Sequence, residues 1–205
     1  MIALIDYGSG NLKSAGKALE AAGAVVRLVA TPAEMEGASA VVLPGVGAFG
    51  DAARQLEATG LMAALRDWLR NDRPFLGICI GYQLLFETSA ESPEARGIGF
   101  FEGEVVRFSA KTGLKVPHMG WNSLSLKPSP LWAGLPPNPY VYFVHSYFPQ
   151  PRDESLIIAT AEYGETIPAA IGRGNIFATQ FHPEKSQEMG LHILKNWVSH
   201  ILDVV

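Results

Sequence analysis

Three short runs constrain this chain more than anything else in it: "IALI" (2–5), "AVVL" (40–43) and "FLGI" (75–78). None carries a polar side chain, and each is followed closely by a glycine-containing turn. A strand without a polar face must be covered on both sides, which an antiparallel sheet with one wet face does not provide. The intervening segments supply the cover. A helix is expected from about Asn11 to Ala22, and another has Leu56, Leu61, Leu65 and Trp68 near one face, with Gly60 as its candidate break. "AVVRLV" (24–29) reads as a further strand, and the next continues as "AVVLPG" to Gly45. Strands that alternate with helices in this way imply a mainly parallel sheet with helices on both faces.

The later half changes character. "GEVVRF", "MGWNSLSL", "YVYFVHSY", "LIIATAEY" and "AAIGRGNIFATQF" read as strands separated by Gly, Pro and Asn turns, an antiparallel-rich portion. Lys127 to Pro139 holds five prolines and reads as a loop. From Ser186 a helical stripe returns, with Ile193, Leu194, Trp197, Val198, Ile201 and Leu202 on one side. With no repeat or linker, residues 1–205 are expected to form one α/β domain.

Composition narrows the functions. The net charge of −4 argues against a general nucleic-acid binder, which would carry a basic face. No apolar run is long enough to span a membrane. The first residues lack the basic start and apolar length of a signal peptide. A single cysteine allows no intrachain disulfide and fits a reducing compartment, so the expected setting is cytoplasmic.

That cysteine is Cys79, in "GICIG" (77–81). A lone buried cysteine is ordinarily a packing residue. Here the spacing is that of a nucleophile elbow, in which flanking glycines let strand and helix approach while the central side chain points outward. A thiol there would sit at a helix N-terminus, which favours the thiolate, with the Ile80 N–H as an oxyanion donor. A thiol nucleophile needs a base. His192 and His200 fall in the terminal helix, expected near its exposed side, and His118 and His145 are expected to be satisfied by hydrogen bonds. His182 ends a strand, and Glu184, two residues on across Pro183, can orient its imidazole. The alternative for this pair is a capping histidine and a surface glutamate. Pro44-Gly45-Val46-Gly47, after the "AVVL" strand, would expose the Val46 and Gly47 N–H groups to an oxyanion, or is simply a tight turn. Gly8-Ser9-Gly10 fails as a dinucleotide fingerprint, because Lys13 stands where the third glycine belongs.

Together these segments resemble the class I glutamine amidotransferases over essentially the whole chain: "LPGVGAFG" its oxyanion strand, "GICIGYQLLFE" its nucleophile segment, "FHPEKS" its His-x-Glu segment. The resemblance implies a flavodoxin-like glutaminase fold and a Cys79–His182–Glu184 triad. It implies an oxyanion hole from Val46 and Ile80, and a glutamine pocket lined by Gly47, Gln83, Glu91, Ser146 and Tyr147. No metal and no cofactor is implied. "DYGSGNLKS", "PHMGWN" and "YFVHSY" resemble the family's glutaminase subunits that work beside a (β/α)8-barrel cyclase. For such a heterodimer the resemblance implies that ammonia from L-glutamine passes into the barrel, where imidazole glycerol phosphate and an aminoimidazole carboxamide ribotide are made. Asn11, Met119, Trp121, Asn122 and Lys185 would then face the partner, although core packing remains open for Trp121. Two rivals stand beside this reading: a glutaminase serving another synthase, and a flavodoxin-like binding module without hydrolysis, against which His182-Pro183-Glu184 speaks.

Overall fold

The computed structural model describes residues 1–109 and 113–204. The doubly apolar runs become β1 (Ile2–Ile5), β3 (Ala40–Leu43) and β4 (Phe75–Ile78), buried at every position. With β2 (Val26–Val29) and β13 (Ile176–Thr179) they make a five-stranded parallel core in the order β2-β1-β3-β4-β13. Beyond β13 the sheet turns antiparallel through β12 (Thr166–Arg173), β11 (Ile157–Glu162) and β8 (Ser125–Leu126), giving eight strands. The flanking helices are α1 (Leu12–Ala21), α2 (Phe49–Ala58), α3 (Leu61–Arg70) and α5 (Gln187–Val204), with a single turn α4 (Ile80–Gln83) after the cysteine. α1 packs against α5, and α2 against both α3 and α4. None of the described helices is long and apolar enough to cross a membrane.

Local chemistry accounts for the boundaries. Asn11 caps α1 by accepting a hydrogen bond from the Ser14 N–H at 3.3 Å. Gly60 adopts φ 74° and separates α2 from α3, the break expected there.

Several expectations are corrected. β2 is an edge strand: Leu28 within it is 55% exposed and Val25 just before it 73%, so a mainly apolar run did not guarantee two covered faces. "AAIGRGNIFATQF" is a hairpin whose second arm, β13, joins the parallel core. "MGWNSLSL" divides between β7 (His118–Ser123) and β8, and "YVYFVHSY" breaks at Ser146 into β9 (Tyr140–His145) and β10 (Tyr147–Pro151). β7 and β9 form their own two-stranded sheet; β10 pairs with β6 (Gly103–Arg107), which also carries the short β5 (Thr88–Ser89). The proline-rich loop holds a 3-10 turn, Pro130–Trp132, that buries Leu131 and Trp132. In α5 the stripe is buried through Ile201, but Leu202 is exposed. His192 and His200 are half-buried rather than exposed, and the His200 ring meets Phe177 edge-on.

Candidate active site

β3, β4 and β13 are neighbours, so their C-terminal ends lie side by side. Leu43 is in register with Gly77 and Ile78 with Thr179, and the Cys79 N–H donates to the Thr179 carbonyl at 2.8 Å. Three segments distant in sequence thus empty at one sheet edge, where α/β proteins place their ligands.

Cys79 occupies φ 55°, ψ −106°, a conformation an L-residue with a side chain rarely adopts and which costs about 1–3 kcal/mol. The glycines around it make this geometry feasible. A Cβ on Gly77 would stand 2.7 Å from the Gly81 carbonyl oxygen, and one on Gly81 would run into the Leu43 carbonyl. A Cβ on Gly45 would collide with the Tyr7 hydroxyl and lie 2.8 Å from Ile80 Cβ. The turn after β3 and the elbow after β4 therefore pack in direct contact. The helix expected to begin at the cysteine is only the one turn of α4, followed by further turns through Phe86. A macrodipole of useful length is absent there, and the local positive charge comes from the free N–H groups of the first turn.

His182 and Glu184 are nearly inaccessible, with side chains 1% and 5% exposed, and His182 Nδ1 lies 2.7 Å from Glu184 Oε1. Since the carboxylate can only accept, Nδ1 carries the proton, and Nε2 is left without a hydrogen bond. The His182 main chain is held by its N–H to the Tyr142 carbonyl at 2.9 Å, and its carbonyl accepts from the Ser186 hydroxyl at 2.7 Å. Burial alone would lower the His182 pKa. Attraction to the Cys79 sulfur and to Glu184 outweighs it and pushes the pKa up to about 9.

Cys79 and His182 face a cavity of roughly 380 Å³, lined also by Val46, Gly47, Ile80, Gln83, Glu91, Ser146 and Tyr147. Cys79 and His182 thus share one hollow with the expected oxyanion and pocket residues, while Glu184 is held against His182 and does not line it. Glu91 accepts from the Phe49 N–H at 2.8 Å, at the start of α2. The Ser9 hydroxyl donates to the Val46 carbonyl at 2.6 Å, tethering the turn after β3 to the loop after β1.

The family profile "Glutamine amidotransferase class-I" matches residues 3–201. The chain belongs to this family. Among relatives of this glutamine amidotransferase is the "Imidazole glycerol phosphate synthase subunit HisH" of Thermosynechococcus vestitus, 53% identical over 205 residues and 98% of each chain. The protein of the same description from Geobacillus kaustophilus is 50% identical over 203 residues, covering 97% of this chain and 96% of that one. Among solved structures, a "glutamine amidotransferase" superposes with TM-score 0.74 at 20% identity, covering 100% and 98% of the two chains. PurLQS from Thermotoga maritima superposes with TM-score 0.75 at 18% identity, covering 99% and 97%. These two likenesses establish the class I amidotransferase fold and no more.

The five residues expected at a partner surface divide. Lys185 lines the amidotransferase cavity. Met119 and Trp121 are exposed on β7, so core packing does not explain Trp121. Asn122 is turned inward, donating to the Glu162 carbonyl at 2.9 Å, and Asn11 serves as the α1 cap. His145, expected only to be satisfied by hydrogen bonds, also lines the cavity. It lies 3.1 Å from His118, and both rings are neutral: burial lowers their pKa values to about 3 and about 4. Gln180, Tyr7 and Ser9 were missed as well. For Gln180 the available signal was a lone amide between Thr179 and Phe181 in an apolar strand end.

Proposed function

We propose that this chain is the glutaminase subunit of an imidazole glycerol phosphate synthase. It hydrolyses L-glutamine to glutamate and ammonia and passes the ammonia to a partner cyclase with a (β/α)8-barrel fold, in the cytoplasm. The observation that carries the reading is Cys79, held at positive φ beside a buried His182–Glu184 pair at the mouth of one cavity. Nearly full-length similarity to HisH subunits supports the choice of synthase over other glutaminase partners.

In this reading the Cys79 proton passes to His182 Nε2 as the sulfur becomes the nucleophile. The thiolate attacks the side-chain amide carbon of glutamine, and the negative charge moves to the carbonyl oxygen, facing the N–H groups of Val46 and Ile80. Collapse breaks the C–N bond, and the imidazolium gives its proton to the departing nitrogen, so ammonia leaves neutral and nucleophilic. His182 then takes a proton from water, whose oxygen attacks the thioester. The S–C bond breaks, and the thiolate returns as glutamate leaves. Gln83, Glu91, Gly47 and the Ser146-Tyr147 backbone would hold the substrate's amino-acid end. Met119 and Trp121, with the neighbouring exposed Tyr140, would dock the cyclase next to Lys185.

The test is glutamate release by the subunit with its cyclase. Cys79→Ala should abolish it while leaving the complex intact by size-exclusion chromatography. Hydrolysis near the wild-type rate in that variant would overturn the nucleophile.

A further inference from the structure

Gln180 is fully buried just past the end of β13, where an apolar side chain would avoid the desolvation of a primary amide. One carbonyl determines which way its amide points. The Tyr147 carbonyl can only accept, and it does so from Gln83 Nε2 at 3.0 Å, with His145 Nδ1 2.9 Å away. The NH2 end of Gln83 is thereby defined, and it also reaches Gln180 Oε1 at 3.2 Å. The NH2 group of Gln180 is left facing Cys79 Sγ at 3.7 Å. Turning Gln180 over would set two NH2 groups against each other and an oxygen against the sulfur. Sulfur lone pairs are diffuse, so 3.7 Å is within hydrogen-bond reach for sulfur although it would be too long for oxygen.

We propose that Gln180 is a further catalytic residue, an N–H donor that stabilises the Cys79 thiolate in addition to His182. The inference rests on the glutaminase reading above. When the Sγ proton moves to His182 Nε2, the contact becomes a charge-assisted N–H···S⁻ bond, stronger than the neutral one it replaces. Once the S–C bond has formed, sulfur carries no charge and the advantage lapses. It returns when water attacks the thioester, the S–C bond breaks and the electron pair goes back to sulfur. The donor therefore favours the resting thiolate and its departure from the acyl group. Its loss is expected in kcat more than in KM, because the amide reaches the reacting sulfur rather than the substrate's distal end.

The experiment uses the full chain and the fact that Cys79 is its sole cysteine. Alkylation by iodoacetamide then reports on this one thiolate, without glutamine. Gln180→Met keeps the length and removes the donor; Gln180→Glu keeps the shape and places an anion against the sulfur. In Gln180→Met the alkylation rate on the rising limb of its pH profile should fall about tenfold, the cost of a hydrogen bond to a charged group at the low end of its range. Its pH profile should move to higher pH, and kcat for glutamate release with the cyclase should fall by a similar factor while KM changes little. Gln180→Glu should move both further in the same direction. An alkylation profile of Gln180→Met that superimposes on wild type overturns the proposal, even if hydrolysis is lost, because Gln180 would then only brace Gln83. If the Met variant does not fold, the profile of the Glu variant decides in the same way; if neither folds, Gln180 is structural and the proposal fails. Glutamate release by Cys79→Ala in a parallel arm would overturn the glutaminase reading itself, whatever the Gln180 profiles show.

Discussion

Gly77→Ala tests whether the elbow geometry, rather than the mere presence of a thiol, governs activity. Gly77 lies in β4, hydrogen-bonded between β3 and β13, so the strand itself has no room to yield. An added Cβ would stand 2.7 Å from the Gly81 carbonyl oxygen, 2.9 Å from its carbon and 3.1 Å from the Tyr82 nitrogen. These are backbone atoms of α4, with no flexible end to swing aside. Ordinary contact begins near 3.4 Å, so α4 has to retreat by about 0.7 Å (3.4 less 2.7), carrying Ile80 and the Cys79 peptide with it. Overpacking of this kind costs about 1–3 kcal/mol of stability. A displacement approaching 1 Å at a reacting group costs up to about a hundredfold in rate, so kcat should fall by between ten- and about a hundredfold. Denaturant melts and glutamate release with the cyclase measure the two effects. Gly16→Ala, in α1, is the control of opposite sign: its Cβ meets only Leu4 Cδ2 at 3.6 Å, and it should stabilise the fold by up to about 1 kcal/mol. A Gly77→Ala protein with unchanged melting and unchanged kcat would refute the packing argument. One that is destabilised yet fully active would refute the link from elbow position to chemistry.

On the proposed mechanism, His182→Ala should lose about 10²–10⁴-fold in kcat, whereas Glu184→Gln should retain more, because there the base moves the proton and the carboxylate only orients it. The reverse order in steady-state kcat would mean that Glu184 itself handles the proton. The pH dependence of stability has a defined sign. The folded His182 pKa, about 9, lies above its ordinary value of 6.5, so the native state holds the proton more tightly. That stabilisation is fully present below about pH 6.5 and is lost as the pH rises through about 9. Denaturant midpoints of wild type and Glu184→Gln should therefore differ most near pH 6 and converge toward about pH 9.5; a constant gap across this range would exclude His182 as the source.

What the sequence determined by itself was whatever depends on near neighbours in the chain. The parallel core was legible because "IALI", "AVVL" and "FLGI" have no face to offer water. Gly77-Ile78-Cys79-Ile80-Gly81 was legible as an elbow because its strain is met by glycines two residues to either side, and His182 reaches Glu184 across a single proline. The neighbouring ends of "AVVL" and "FLGI" are an expectation of the sequence, whereas tertiary structure alone decided that β13 takes the other side of β4, which sets Leu43, Cys79 and Thr179 together at one sheet edge. It also decided that β2 is an edge and leaves Val25 and Leu28 exposed, since strand order is not written in any one strand. The Tyr147–Gln83–Gln180–Cys79 chain of hydrogen bonds was beyond reach for the same reason. An amide binds whichever donor or acceptor the fold brings within hydrogen-bond reach, and here those partners lie 64, 97 and 101 positions away along the chain.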